Sequence, residues 1–309
     1  MNPFKYSLDN KRYHTYNYYL KQKYHTKVAK VSLNAGLTCP NRDGTVSKGG
    51  CIYCSGDFAN DGIEPLQQQF KTVSKIMSLK WPNCKYIAYF QAGSNTYAPV
   101  SQLKEYFEPF IHYPDVVGIS IATRPDCLQD DVLDYLEDLN KRTDLTIELG
   151  LQTIHEKTAK LINRGHDLKC FVDAVKKLRQ RNINIACHII NGLPYETIED
   201  MIATAKFVSK LDIQFIKIHM LYILYDTAMY RYYENNHFPL LSRENYIKVV
   251  CHQLEYFNEH VVVERLTGDG DAKKIYYPEW SIKKVTILND IDKYMKENNI
   301  WQSKKADIQ

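Results

Sequence analysis

Three cysteines stand close together near the start of the chain. Cys39, Cys51 and Cys54 enclose the stretch CPNRDGTVSKGGCIYC, which is rich in glycine and polar residues. Thiolates bind zinc and iron–sulfur clusters, and a structural zinc site would normally add a second CxxC or a histidine pair. No such partner follows Cys54 at a suitable spacing, and His25 precedes the stretch. An iron–sulfur cluster is therefore favoured over zinc.

A four-iron cluster held by three cysteines leaves one iron without a protein ligand. An open coordination position is typical of catalytic metal sites, where a substrate or cosubstrate occupies it. Gly49 and Gly50 allow the loop to wrap closely around a bulky cluster. Tyr53, beside the last cysteine, can place its ring on the bound cosubstrate. The spacing thus predicts a cluster with a fourth, exchangeable ligand.

The composition is that of an ordinary globular protein. The 309 residues are 44% hydrophobic and 25% charged, enough to bury a sizeable core. No apolar run is long enough to cross a bilayer, and the first residues lack the pattern of a secretory signal, so we expect a cytoplasmic protein. In a reducing compartment, disulfides are not expected. The remaining cysteines are then small buried hydrophobes: Cys84, Cys127, Cys170, Cys187 and Cys251.

Positive charge is concentrated in residues 1–30. This segment has seven Lys or Arg against one Asp, whereas the whole chain has a net charge of +4. Six tyrosines are interleaved with these cations, a composition that suits base stacking and phosphate neutralisation by an RNA-binding surface. An amphipathic helix that packs its tyrosines on the core and keeps its lysines in water explains the composition equally well. Both interpretations stay open; the tyrosines are Tyr6, Tyr13, Tyr16, Tyr18, Tyr19 and Tyr24.

Strand and helix patterns alternate along the chain, as in parallel α/β folds. The predicted strands are Val28–Asn34, Lys85–Gln91, Val116–Thr123, Leu145–Gln152, Ile183–Ile190 and Ile213–Leu221. The predicted helices are Leu66–Lys80, Val100–Ile111, Asp130–Arg142, His155–Arg181 in one or two pieces, and Thr197–Leu211. A helix near Ser242–Glu259, a strand near Val261–Leu266 and a helix near Leu288–Glu297 follow.

These elements predict an α/β fold, a barrel or part of one, with functional loops at the carboxyl ends of its strands. We divide the chain into a basic, tyrosine-rich segment packed on the core (residues 1–30), a core of six strands alternating with helices (31–225) and a small α/β extension (226–309). The cysteine loop follows the first strand, so it is expected at the mouth of the barrel.

Further motifs lie at the ends of the predicted strands or in the following helices. They are TRPD (123–126), ELGLQT (148–153), NRGHD (163–167), HIINGLP (188–194) and RLTGDG (265–270). With CPNRDG and CIYC, they resemble the radical S-adenosylmethionine (SAM) superfamily. Within it they resemble the branch of the Elongator catalytic subunit and oxygen-independent coproporphyrinogen dehydrogenase, and over nearly the whole chain a bacterial group of short Elongator-subunit-like proteins. The fold implied is a partial (β/α)6 barrel.

The resemblance implies cofactors and chemistry. Such enzymes hold a [4Fe–4S] cluster on three cysteines, here Cys39, Cys51 and Cys54, and bind SAM at the open iron. One electron, from a donor such as flavodoxin or ferredoxin, splits SAM and yields a 5′-deoxyadenosyl radical that abstracts hydrogen from a substrate.

Residues for SAM also follow from the resemblance. Relatives hold SAM with a glutamine that ends the fourth strand and an arginine twelve residues later, and Gln152 and Arg164 reproduce that spacing; alternatively, Arg164 is an exposed arginine at a helix end. His188 takes a position that meets the ribose in some relatives, although a buried, satisfied histidine is equally consistent. The other expected SAM contacts are Tyr53, Gln91, Gly93, Arg124, Glu148, Gly192 and Leu221.

Some of these residues have structural alternatives. Arg124 and Glu148 could serve buried ion pairs. The sequence departs from the relatives where QAGSNT (91–96) has a single glycine and where Ala122 replaces a common glutamate. Lys217 and His219 alternate on the sixth strand and so share one face, which is either the lumen or a solvated edge. Possible substrate contacts are Lys217, His219, Arg265 and Asp269, although RLTGDGD could be a hydrogen-bonded turn.

The relatives also suggest a substrate. Elongator-type enzymes attach a carbon substituent at C5 of the wobble uridine of tRNA, and we expect this chain not to contain their acetyltransferase domain. The resemblance therefore implies a tRNA-modifying enzyme, and we expect it to remodel an existing C5 substituent. Two alternatives remain: a radical SAM enzyme for a small metabolite, and a non-catalytic iron–sulfur or zinc protein that binds RNA or acts as a sensor.

Overall fold

A curled parallel sheet forms the centre of the molecule. The computed structural model describes residues 11–56, 64–268 and 270–306. Its strands are β1 (Val28–Leu33), β2 (Lys85–Phe90), β3 (Val116–Thr123), β4 (Asp144–Gln152), β5 (Asn184–Asn191), β6 (Phe215–Met220), β7 (Ile223–Leu224), β8 (Val262–Arg265) and β9 (Ile275–Tyr277). Seven of them pair in parallel in the order β1-β2-β3-β4-β5-β6-β8, and β7 pairs with β9 in a small antiparallel sheet.

Helices pack around the sheet. They are α1 (Tyr16–Tyr24), α2 (Pro40–Asp43), α3 (Leu66–Lys80), α4 (Val100–Phe107), α5 (Asp130–Arg142), α6 (Glu156–Leu161), α7 (Leu168–Gln180), α8 (Ile198–Val208), α9 (Ala228–Asn236), α10 (Arg243–Leu254) and α11 (Lys284–Glu297). The amphipathic pattern of α5 and α7 explains this placement, because their apolar stripes face the strands and their charges face water. None of the described helices combines the length and apolarity needed to cross a membrane.

The sheet closes far enough for its two edge strands to meet through side chains. The ammonium of Lys30 on β1 lies 2.8 Å from a carboxylate oxygen of Glu264 on β8 and 2.7 Å from one of Glu148 on β4. Contacts between strands so far apart in sheet order require a lumen. The architecture is therefore a half-barrel, as predicted, with polar side chains on its inner face.

The structure extends the predicted sheet. All six predicted core strands form, and α3 and α5 have the predicted bounds. The strand predicted near Val261–Leu266 is β8, which pairs with β6 and so makes a seventh strand of the main sheet. The last helix begins at Lys284 instead of Leu288. The pair β7–β9 and the helix α9 were not predicted, because their segments are short or carry no clear apolar period.

Helix α1 covers the amino-terminal ends of the strands. Its residue Leu20 is buried with Val28 and Ile87, and the rings of Tyr16 and Tyr19 meet Phe215 edge-on at 5.8 and 5.3 Å. For the described tyrosines of this helix, packing on the core is the correct interpretation. Tyr6, Lys5 and Asp9 of the basic segment lie outside the described residues.

The cations of the same segment also have partners within the fold. Lys11 pairs with Asp292, Lys23 with Asp144, and the ammonium of Lys27 lies 4.9 Å from the Trp81 ring. Lys30 points into the lumen. The described part of the segment therefore does not form a phosphate-binding arm at the mouth, which is at the opposite end of the barrel.

Leu20 tests the docking of α1. Leu20→Ala removes a side chain that is 5% exposed, and we expect the free energy of unfolding to fall by about 2–4 kcal/mol because a cavity is left. Gln22→Ala, on the exposed side of the same helix, should change it by less than about 0.5 kcal/mol. Urea denaturation measures both. Equal values for the two variants would show that α1 does not pack on the sheet.

Candidate functional site

The three cysteines border one cavity at the carboxyl ends of the strands. Cys39 precedes α2, and its carbonyl accepts hydrogen bonds from the amides of Arg42 and Asp43, at 2.8 and 3.1 Å. With Cys51 and Cys54 it lines a cavity of about 510 Å³ that reaches down to Glu148 and His188. This volume lies within the range of about 300–1,000 Å³ usual for cofactor sites. The cysteine loop is at the mouth, as predicted.

The donor set fits an iron–sulfur cluster, whose usual protein ligands are thiolates. Cys39, Cys51 and Cys54 are free thiols, and all three border the same cavity. Burial raises the pKa of the Cys51 thiol to about 11, while the nearby Arg124 opposes this increase. Metal binding would displace the proton from this thiol.

The loop that contains NRGHD supports the cysteine loop from below. The Asn163 amide nitrogen donates to the carbonyl of Gly50 at 2.8 Å, and its oxygen accepts from Ser47 at 3.1 Å. The fully buried Asn41 donates to the carbonyl of Asn163 at 2.6 Å and lies 3.6 Å from the Cys51 sulfur. Asn163 adopts a left-handed φ of 52° to reach this position. The two motifs CPNRDG and NRGHD therefore form one supporting unit.

The β2 loop packs against the residues just before Cys39. Gly93 has a φ of 77°, and a Cβ atom there would lie 2.2 Å from the carbonyl oxygen of Leu37. The amide of Ser94 donates to the carbonyl of Thr38 at 3.1 Å. Only glycine allows this approach. The single glycine of QAGSNT thus fixes the cysteine loop, and Gln91 and Gly93 both line the cavity.

Gln152 ends β4 in a left-handed conformation. Its φ is 63°, after an irregularity in the β4–β5 pairing between Gly150 and Gln152. A Cβ on Gly150 would lie 2.4 Å from the Gln152 amide nitrogen, so the absence of a side chain at Gly150 lets this amide fold over the strand. Backbone held in this sparsely populated region is common at ligand sites. Gln152 lines the cysteine cavity, and its contact with SAM stays a prediction.

Arg164 is buried and is largely engaged by the protein. It is 1% exposed, its Nη1 donates to the carbonyls of Leu151 and Thr153 at 2.8 and 2.6 Å, and its Nε donates to the carbonyl of His166 at 2.8 Å. The alternative of an exposed helix-end arginine is wrong. Arg164 holds the turn that follows β4 and still borders the cavity.

Arg124 and His166 line the cysteine cavity together with Arg164. Arg124 makes a bidentate pair with Asp126, at 2.8 and 2.6 Å, and donates to the carbonyl of Arg164 at 2.7 Å. This confirms the ion-pair alternative for Arg124, which also lines the cavity. Burial and the adjacent guanidinium groups lower the pKa of His166 to about 4, so this side chain is neutral at pH 7.

A buried ion cluster lies deeper in the lumen, centred on Glu148. The Glu148 carboxylate is paired with Lys30 at 2.7 Å and with Lys217, and it accepts hydrogen bonds from Tyr89 and His188 at 2.8 Å each. Burial alone would raise the pKa of this carboxyl, but Lys217, Lys30 and His188 together hold it well below its usual value. Glu148 is therefore ionised, and the ion-pair alternative for it is confirmed.

His188 is held neutral in this environment. Burial and the charge of Lys217 lower the pKa of its imidazole. Since Nε2 faces the Glu148 carboxylate at 2.8 Å, it carries the proton and Nδ1 is left as an acceptor. His188 thus borders the cavity with a fixed tautomer. This agrees with both predictions for it, a contact with the ribose of SAM and a buried, satisfied histidine.

A second cavity of about 300 Å³ continues from the first. It shares Tyr53, Cys54, Gln152 and His188 with the cysteine cavity and adds His219 and Leu221, among others. The Nε2 atom of His219 is buried and has no hydrogen-bond partner among the described residues. Lys217 and His219 both face the lumen, so the solvated-edge alternative is wrong.

The RLTGDG motif packs against the wall of the second cavity. Cβ atoms on Gly268 and Gly270 would lie 2.5 and 2.6 Å from the ring of Tyr222, which lines the cavity. The glycines therefore make room for this ring. Asp269, between them, lies outside the described residues, so its predicted role remains a prediction.

Three predicted residues do not line these two cavities: Gly192, Lys217 and Arg265. Gly192 lies beneath Leu241, where a Cβ would approach within 3.3 Å, so its effect on a ligand would be indirect. Arg265 borders a separate cavity of about 390 Å³ between the edge strands, together with Lys30, Lys217 and Glu264. The positions of Gly192 and Arg265 depend on how β5 and β8 end, which the spacing of apolar residues in the sequence does not reveal.

Sequence reasoning assigned no role to several residues of the site. Asn41, Arg42, Asn163 and His166 stand within the quoted motifs CPNRDG and NRGHD, and their polar side chains beside glycine were the available signal. Arg42 donates to the carbonyl of Cys54 at 3.2 Å. Tyr222 gave no signal in a chain with 24 tyrosines.

Gly93→Ala tests the packing of the β2 loop. We expect it to displace Leu37 and the cysteine loop, so the protein should bind much less iron and sulfide after anaerobic reconstitution. Gly49→Ala is the matched control, because Gly49 has a similar φ of 82° but nothing lies within 4 Å of a Cβ there. The control should lose only about 1–2 kcal/mol of stability from the left-handed backbone. Equal iron loss in both would exclude the clash as the cause.

Lys217→Met tests the ion cluster. Removing one cation from a buried carboxylate should lower the free energy of unfolding at pH 7 by about 3 kcal/mol. Because the Glu148 pKa is lower in the folded than in the unfolded chain, its ionisation stabilises the fold above about pH 4.5, and this contribution is lost as the pH falls. The deficit of the variant should therefore narrow in acid, as measured by urea denaturation at several pH values.

The double variant Glu148→Gln with Lys217→Met is the control for this pair. Since both charges are removed together, it should lose less stability than the sum of the two single variants. Additive losses would show that Glu148 and Lys217 do not interact in the folded protein.

Comparison with known proteins agrees with this geometry. The model of the radical SAM superfamily matches residues 39–208, and that of the radical SAM C-terminal domain matches 213–297. The uncharacterized protein YtqA of Bacillus subtilis strain 168 is 51% identical over 98% of this chain and 95% of its own length. The tRNA uridine(34) acetyltransferase of Methanocaldococcus infernus is 24% identical over 60% of this chain and 34% of that protein.

Among solved structures, the archaeal Methanocaldococcus infernus Elp3 superposes with a TM-score of 0.70 and 19% identity. The match covers 90% of this chain and 64% of the Elp3 chain, and it shows a shared fold. The superfamily model covers more than half of the chain, and its match begins at Cys39 and includes the other two cysteines of the mouth. The cofactors that the resemblance implied, a [4Fe–4S] cluster and SAM, are those of this superfamily. The chain belongs to the radical SAM superfamily of enzymes.

Proposed function

We propose that this protein modifies tRNA, acting on the C5 substituent of the wobble uridine. The observation that carries the proposal is the similarity to a tRNA uridine(34) acetyltransferase, together with the Elp3-like fold. The match covers 34% of that acetyltransferase. It therefore supports radical chemistry on RNA, and we do not propose acetyl transfer. Remodelling of a substituent already present is a reaction that a radical SAM core could carry out.

The cysteine cavity supports the placement of the cofactors. Cys39, Cys51 and Cys54 would hold the cluster, which, when bound with SAM, supplies the radical that removes a hydrogen atom from the substrate. The protein residues keep this reaction away from water and orient SAM. Asn41 and Arg42 hold the cysteine loop through the Cys51 sulfur and the Cys54 carbonyl, at 3.6 and 3.2 Å.

The two joined cavities suit an elongated nucleoside ligand. The cavity beside the cysteines would receive the methionine part of SAM, within reach of Gln91, Gly93 and Gln152. The second cavity, beyond Tyr53 and His188, would receive the adenosine part, near Leu221. Tyr53 and His188 line both cavities and so lie at their junction. These assignments rest on the lining residues and on the order of the cavities from the cysteines.

The lumen below offers groups for the substrate. Lys217 and His219 project inward from β6, and the unpartnered Nε2 of His219 could accept from or donate to a base, depending on its tautomer. A one-electron donor such as flavodoxin or ferredoxin and a cytoplasmic location complete the proposal.

Nucleoside analysis of tRNA tests the function. Deleting the gene should change the modified nucleosides of bulk tRNA, with loss of one wobble-uridine derivative and accumulation of its precursor. Liquid chromatography with mass spectrometry measures both. The wild-type gene should restore the profile, whereas a Cys54→Ala gene should not, because cluster binding is impaired.

An unchanged nucleoside profile in the deletion strain would contradict the tRNA proposal. Anaerobic incubation of the reduced, cluster-loaded protein with SAM would then separate the alternatives. Formation of 5′-deoxyadenosine without any effect of RNA would favour a small-metabolite substrate, and a cluster insensitive to SAM would favour a non-catalytic protein.

A further inference from the structure

The tyrosines that remain exposed gather on one face of the molecule. Of the tyrosines in the described ranges, Tyr195, Tyr225 and Tyr277 are the ones that are mainly exposed, at 53, 55 and 43%. They follow β5, follow β7 and end β9, respectively. The tyrosines of α1, by contrast, pack on the opposite end of the barrel. Exposed aromatic rings grouped in this way mark an interaction surface.

Ring contacts connect these three residues, in part through the buried Phe238, into one aromatic cluster, and we call its exposed rings the tyrosine face. Tyr195 is 6.1 Å from Phe238, Phe238 is 5.2 Å from Tyr233, and Tyr233 is stacked on Tyr277 at 6.2 Å. The ring centroid of Tyr276 lies 5.1 Å from that of Tyr225 and 6.3 Å from that of Tyr233, so Tyr276 connects Tyr225 to the same cluster. Neighbouring rings fix one another, so the face is preorganised for flat ligands.

The tyrosine face is attached directly to the cysteine loop. The amide of Met229, at the start of α9, donates to the carbonyl of Ile52 at 2.7 Å. Ile52 and Tyr53 pack in the same apolar cluster as Met229 and Phe238. A partner that lies on this face therefore reaches the mouth next to Tyr53.

Cations border the face. Arg231 on α9 and Lys273 just before β9 are exposed. Lys274 is also exposed, but its ammonium lies 3.4 Å from the Asp226 carboxylate, so its charge is already compensated. Aromatic rings beside exposed cations suit single-stranded RNA, because unpaired bases stack on the rings while the cations meet the phosphates. The base that is to be modified must leave its stack to enter an enclosed site. This costs least in an RNA loop, where the base is already unpaired.

We propose that the tyrosine face docks the unpaired bases of an RNA loop beside the mouth of the barrel. This inference rests on the proposed function, since it names the surface that would receive the tRNA. Tyr225 and Tyr277 stack bases next to the one that enters the lumen, and Arg231 and Lys273 bind the flanking phosphates.

Anisotropy of labelled tRNA tests the proposal on the cluster-loaded protein. The tRNA is purified from the deletion strain, so that it carries the unprocessed nucleoside. Tyr225→Ala and Tyr277→Ala should each weaken binding by at least about fivefold, because each removes a stacking platform. Tyr225→Phe should stay within about twofold of wild type, since its ring remains.

The matched control is Leu79→Ala, which shortens a side chain that is 81% exposed on α3, away from the face. It should bind tRNA like wild type. Iron content and visible absorbance check that each variant retains its cluster. Lys273→Gln should reduce the dependence of affinity on salt by about one unit of slope, because one phosphate contact is lost.

Photocrosslinking of the wild-type protein provides a measurement that needs no variant. Transfer RNA containing 4-thiouridine should crosslink to peptides that include Tyr195, Tyr225 or Tyr277. Crosslinks confined to other peptides, or unchanged affinity in both alanine variants while wild type binds tRNA, would overturn the docking surface but leave the proposed function in place. If wild type does not bind tRNA and the deletion strain has an unchanged nucleoside profile, both proposals fail.

Discussion

The pairing of Glu148 with Lys30 and Lys217 is the interaction on which the lumen depends. A half-barrel leaves inward-facing positions that cannot all be filled by apolar side chains, and here β1, β4, β6 and β8 contribute charges of both signs that meet near its centre. An isolated buried charge would be costly, whereas this set compensates itself. Tyr89 and His188 complete the hydrogen bonding of the central carboxylate. The cluster thereby fixes the floor of the cofactor cavity and the orientation of His188.

Above this floor, backbone conformations that favour glycine and asparagine shape the mouth. Gly93 allows the β2 loop to contact Leu37. Asn163 adopts a left-handed conformation, and its side chain donates to the carbonyl of Gly50. Arg164 then bonds the carbonyls of the β4 turn and supports the same region. The cysteine loop, which has only the four-residue helix α2 as regular structure, thus derives its position from the ends of β2 and β4. This explains why motifs far apart in the sequence act as one unit.

The sequence predicted the parts of the fold that depend on local pattern. Apolar strands and amphipathic helices such as α3 and α5 show their period directly, and the three cysteines show their donor chemistry. Pairing partners are not local. Whether β8 pairs with β6 depends on where the chain returns to the sheet after α10. The role of Arg164 depends on the path of the carbonyls it meets, so spacing indicated a site residue but not its bonds. Likewise, composition alone could not distinguish the packed tyrosines of α1 from the exposed tyrosines beside the mouth.

The hydrogen bond from Met229 to Ile52 has a consequence for regulation by oxygen. Ile52 stands between two cluster cysteines, so the start of α9 is ordered against the same loop that the metal would order. A protein that has lost its iron to oxidation should therefore hold α9 less firmly and present a less regular aromatic surface. Cofactor loss would then loosen the proposed docking face at the same time as it stops the chemistry.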